Sequence, residues 1–73
     1  MKMRLYDAKP GYSGEIIAIH GDTRFLSRIT SIGLTVGCKI KIMRNEKKQP
    51  VLILSRDSLI AVNRKDCGRI EVK

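Results

Sequence analysis

Apolar positions along the chain change period twice, and the changes mark out its elements. Pro10-Gly11-Tyr12-Ser13-Gly14 is dense in turn formers, and the β-branched run that follows, Glu15 to His20 with Ile16, Ile17, Ala18 and Ile19, reads as the first full strand. Past Asp22 the period becomes helical. Phe25, Ile29 and Ile32 recur at four and three residues with Leu26 alongside, while Arg24, Ser27, Arg28, Thr30 and Ser31 fill the rest of the wheel. Asp22 suits the N-cap, because its carboxylate accepts from free N–H groups of the first turn and matches the positive end of the helix dipole. Gly33 falls where a helix end wants a positive φ, and Gly37 frees the backbone to turn again. The period then drops to two: Cys38, Ile40 and Ile42 alternate with Lys39 and Lys41, placing the apolar set inward and the lysines in water. Met43 breaks this alternation and predicts a bulge or strand end near Arg44.

The rest of the chain reads as paired strands and one helical turn. Asn45 to Gln49 is a polar turn, and Pro50 opens a strand where its missing N–H does little harm. Val51 to Leu54 is apolar on both faces, and Asp57-Ser58 is a tight turn into Leu59, Ile60, Ala61 and Val62, giving a hairpin. Asn63 is placed to cap a single helical turn with Asp66 as its capping-box acid, before Arg69 to Val72 alternate as the closing strand. Four or five short strands, one central helix and a helical turn before the last strand describe a mainly β, small, partly open barrel in a single domain, 1–73. Slipping the Cys38 to Ile42 strand by one residue would drive two lysines into the core, so its register is fixed.

Composition narrows the function. The 73 residues are 42% hydrophobic, but the only aromatics are Tyr6, Tyr12 and Phe25, enough for a small aliphatic core and too few for an aromatic binding platform. Neither a signal peptide nor a membrane-spanning run is legible, so a cytoplasmic location is expected. Cys38 and Cys67 are far apart with no Cys-x-x-Cys spacing, and in a reducing compartment they read as small buried hydrophobes. The net charge of +8 points to an anionic partner: nucleic acid, an acidic protein surface or an anionic membrane face. Lys39, Lys41, Arg44, Lys47 and Lys48 crowd one strand and its following turn, where they also discourage edge pairing.

Chemistry beyond binding finds little support. One histidine, no phosphate-cradling glycine loop and no nucleophile spaced beside a base argue against an enzyme. His20, Cys38, Cys67 and the methionines are ligand types, but none are paired at metal-site spacing; His20 is the one weak candidate, otherwise a strand-end residue at a turn. No cofactor is implied. Phosphate binding by Lys39, Lys41 and Arg44 would be electrostatic and would weaken steeply with salt.

The ordered set Leu5, Gly11 and Gly14 before Ile16 and Ile19, then Gly21, Arg28-Ile29, Ile32-Gly33-Leu34, Gly37, Ile40 and Ile42 resembles the FeoA family, ferrous iron transport protein A. Ile60-Ala61-Val62 and Ile70-Glu71-Val72 extend the likeness to essentially the whole chain. Ile32, Val36 and Asp57 stand where the family often has Met, Pro and Gly. The resemblance implies an SH3-like barrel, shared with the C-terminal domain of some iron-dependent repressors, and, for the family at large, transition-metal-ion binding. It also implies an accessory role: binding the cytoplasmic GTPase-bearing part of the membrane ferrous-iron permease FeoB. The expected contact surface is the helix and its exit, Arg24, Arg28, Gly33, Leu34 and Thr35, with Leu34 either a core plug or an exposed anchor. A basic barrel that binds nucleic acid or serves regulation is the alternative.

Overall fold

The computed structural model describes residues 2–73. Six strands form one antiparallel sheet in the order β1-β6-β2-β3-β4-β5: β1 (Met3–Arg4), β2 (Ser13–Ile19), β3 (Lys39–Arg44), β4 (Val51–Ser55), β5 (Ser58–Val62) and β6 (Ile70–Val72). Helix α1 (Thr23–Ser31) links β2 to β3, α2 (Arg64–Cys67) links β5 to β6, and a 3-10 turn covers Leu5–Asp7. The sheet curls into the expected open barrel. β2 makes this possible: its first half, Ser13 to Glu15, pairs with β3, its second half with β6, and a register shift between Ile16 and Ala18 bends it. Because β1 and β5 each have a neighbour on one side only, the barrel does not close.

Inside lies the aliphatic core that the alternation predicts. Ile40 and Ile42 of β3, Val51 and Ile53 of β4, and Ile70 and Val72 of β6 point inward, while Lys39 and Lys41 are exposed. The predicted irregularity at Met43 is a register shift between Ile42 and Arg44, and it leaves Met43 exposed. Cys67 is fully buried, whereas Cys38 is half-buried and its thiol lies 2.9 Å from the Ser55 hydroxyl. Only Cys67 therefore behaves as a core hydrophobe.

Several local expectations need correction. β1 adds a strand too short to show a period; it exists because β6 offers it partners at Val72 and Glu71. The β4–β5 turn is Arg56-Asp57 rather than Asp57-Ser58, since Ser58 pairs with Ser55, and Arg56 takes the positive φ of 58°. Asn63 does cap α2, accepting from the Lys65 N–H at 2.9 Å, but the Asp66 carboxylate accepts from the Arg28 guanidinium instead of closing a capping box. Of the four apolar residues on α1 and its C-cap, Phe25 and Ile29 are buried, while Leu26 and the C-cap Ile32 are 38% and 41% exposed. At 100° per residue these two flank the buried stripe on opposite sides, where a helix lying on a small barrel leaves its borders uncovered.

Candidate binding surfaces at the helix exit and the β2–β3–β4 groove

The helix exit is built by hydrogen bonds that the sequence dictates locally. Asp22 accepts from the Phe25 N–H at 2.8 Å and starts α1. At the other end Gly33, with φ of 104°, donates its N–H to the Thr30 carbonyl at 3.0 Å, and Leu34 donates to the Ile29 carbonyl at 3.2 Å. This is the Schellman arrangement, which brings the residue after the glycine back against the helix's penultimate turn. Leu34 is accordingly 0% exposed and shares the core with Ile29. Of the two roles open to Leu34, the core plug is the one it fills, so its side chain presents nothing to a partner.

The other residues expected there are exposed. Arg24 and Arg28 lie on α1, and Gly33 and Thr35 lie in the exit turn. Arg28 is also engaged: its Nη2 is 3.2 Å from both carboxylate oxygens of Asp66, and its guanidinium lies 5.4 Å from the centre of the Phe25 ring. It ties α1 to α2. The apolar contact that Leu34 does not supply is available from Ile32 and from Val36, the latter 62% exposed. Sequence periodicity places Ile32 on the apolar face of the helix and gives Val36 no role. Val36 was findable from the alternation Ile32, Leu34, Val36 around a turn whose middle residue is drawn inward.

The expected basic surface splits in space. Lys39 and Lys41 line a groove of about 520 Å³ on the outer face of β2, β3 and β4, together with Arg56 and Lys73, which are remote in sequence. Arg44 ends β3 on the other side and Lys47 and Lys48 lie in the turn after it, where Lys48 lines a separate recess of about 280 Å³ with Arg64. Gly14 explains why Lys73 reaches the groove. A Cβ at Gly14 would stand 2.6 Å from the Tyr12 ring and 2.7 Å from the Lys73 carbonyl, so only glycine lets the end of β6 cross so closely.

His20 follows β2, and its Nε2 pairs with the Glu71 carboxylate. That hydrogen bond, with Lys2 at 3.8 Å adding to it, holds the Glu71 carboxyl below its ordinary range against a smaller opposing effect of desolvation. Two ligand types do not make a metal site, and among the described residues no three His, Cys, Asp or Glu side chains converge on one point. The arrangement does not fit a resident transition-metal ion.

Residues 3–73 match the family model of the FeoA domain. No curated protein matches the chain. Among solved structures, one described as an iron uptake regulatory protein (FeoA) superposes with a TM-score of 0.95 at 26% identity, covering 100% of this chain and 97% of that one. The FeoA protein of Chlorobium tepidum gives 0.83 at 24% identity over 96% of this chain and 68% of its own. IdeR of T. acidophilum gives 0.87 at 23% identity over 99% of this chain but 33% of its own, which shows that the SH3-like fold also occurs as part of a larger protein. A family match spanning nearly the whole chain, together with a relative of the same size that superposes end to end, makes this protein a member of the FeoA family.

Proposed function

We propose that this protein is an accessory of ferrous iron uptake that acts by binding, on the cytoplasmic side, the GTPase-bearing part of the membrane iron permease FeoB. Family membership supports the process, and the helix exit supports the mode. The observation that carries the reading is the pair of exposed apolar side chains, Ile32 and Val36, held on either side of the buried Leu34 by the Schellman turn. A turn fixed by three core and backbone anchors presents those side chains with little ordering entropy left to lose on binding. Arg24 stands on the exposed surface of the same helix and supplies charge at the rim. Catalysis has no part in the role. Nor does a membrane span: among the described residues no helix is long and apolar enough to cross a bilayer.

The test is binding of the purified protein to the isolated GTPase domain of the matching permease, at low and moderate salt, with duplex DNA as competitor. Saturable binding that persists at moderate salt and is lost in Val36→Glu is the expected result. Val36 is the residue to change, because Leu34→Glu would bury a carboxylate and unfold the domain. Binding to DNA alone, disappearing as salt rises, would replace this reading with that of a basic nucleic-acid barrel.

A further inference from the structure

We propose that the groove across the outer face of β2, β3 and β4 is a second docking site, one that takes an extended, carboxylate-rich peptide segment of a partner protein. It shares no residue with the helix exit. Strand pairing builds it: Glu15 stands opposite Lys39, and Ser13 and Leu54 stand on the two sides of Lys41. Arg56 from the β4–β5 turn and Lys73 from the end of β6 complete the rim, so the side chains lining the groove include four cations and one carboxylate. The ion pairs among the described residues engage Lys2, His20 and Arg28 and none of these four cations. Four like charges that line one groove without an ion pair among the described residues repel one another, and an anionic segment relieves that repulsion.

Shape and chemistry favour a peptide over the other anions. The groove is a shallow, open depression with the half-buried Leu54 on its floor. An extended chain can seat an apolar side chain on Leu54 and present carboxylates on both sides of it. Glu15 discriminates further. Its carboxylate accepts hydrogen bonds, which a peptide backbone N–H can donate and a phosphodiester chain cannot. Leu59, 61% exposed and directly opposite Leu54 on β5, extends the apolar strip beyond the groove.

The experiment measures fluorescence anisotropy of a labelled eight-residue peptide alternating Glu and Val, titrated with the whole protein at low salt. The controls are the same peptide with Gln in place of Glu, vesicles containing phosphatidylserine, and duplex DNA. The expected result is saturable binding of the Glu peptide, weakened at least about tenfold by Lys39→Glu with Lys41→Glu. The Gln peptide should bind no better than that variant. Both lysines are solvent-exposed, so the double variant should fold, and its circular dichroism and melting temperature verify this. Arg56→Glu, in the exposed turn, is an independent second variant. Val36→Glu should bind the peptide normally, which separates this site from the helix exit. Equal binding of the Glu and Gln peptides, unchanged binding in both charge variants, or binding confined to vesicles or DNA would overturn the proposal.

Discussion

His20 and Glu71 show how much one exposed pair can do and where its influence stops. The histidine hydrogen bond holds the Glu71 carboxyl below its ordinary value, with Lys2 assisting. The sign of the linkage follows: a carboxylate depressed in the folded state contributes stability above the pKa it has in the unfolded chain, and loses it as pH falls through the lower, folded value. In His20→Ala the Glu71 titration, followed by NMR at its carboxyl carbon, should move up toward the ordinary carboxylate range. An unmoved titration would mean that His20 does not hold the carboxylate in solution. Neither partner's role was legible from its own neighbourhood, since they lie 51 residues apart and meet only because β2 pairs with β6.

At the scale of the element, the helix exit is the most instructive segment. Its N-cap, its glycine and the following turn are all local signals, because each rests on backbone groups within a few residues. The direction of Leu34 belongs to the same local motif, in which the residue after the glycine folds back on the penultimate turn. Leu34→Ala should therefore cost on the order of 2–5 kcal/mol, as for a leucine removed from a closed core, and a urea melt would measure it. A cost below about 1 kcal/mol would show the site to be solvent-facing. By contrast, the Asn45 of the polar turn carries a duty no local pattern shows. Its side-chain amide donates to the Tyr6 and Ala8 carbonyls at 2.8 Å each, and its oxygen accepts from Arg64 at 2.6 Å. It fastens the N-terminal segment and α2 to the β3–β4 connection, three pieces brought together by the curl of the sheet.

Across the whole molecule, the two thiols report on the barrel as a unit. Burial pushes the Cys67 thiol up to about 12, so it stays neutral in the folded state while the unfolded chain ionises at the ordinary thiol value. Stability from this group is complete below that ordinary value and falls as pH rises above it. Modification by a thiol-specific disulfide reagent at about pH 8 should mark the half-buried Cys38 in the folded protein, and Cys67 only through global opening. Mass spectrometry of the time course distinguishes them, and equal rates at the two cysteines would contradict a closed core around Cys67.

The fold class, the central helix with both its ends, the β3 register and the family were determined by the sequence itself, because period, capping and charge burial act over a few residues and each excludes its alternative. Tertiary structure decided what depends on residues far apart in the chain. It added β1, whose two residues form a strand only where β6 supplies partners. It also moved Leu26 and Ile32 from the expected apolar face to the borders of the core, since a barrel this small covers only a narrow stripe of a helix. The groove is the clearest case: Lys39 and Lys41 were visible as a basic strand, but Arg56 and Lys73 join them through the β4 turn and the close crossing at Gly14. Whether a charge is solvated alone or gathered with others depends on which strands lie side by side, and that is settled by long-range pairing rather than by the chain's local pattern.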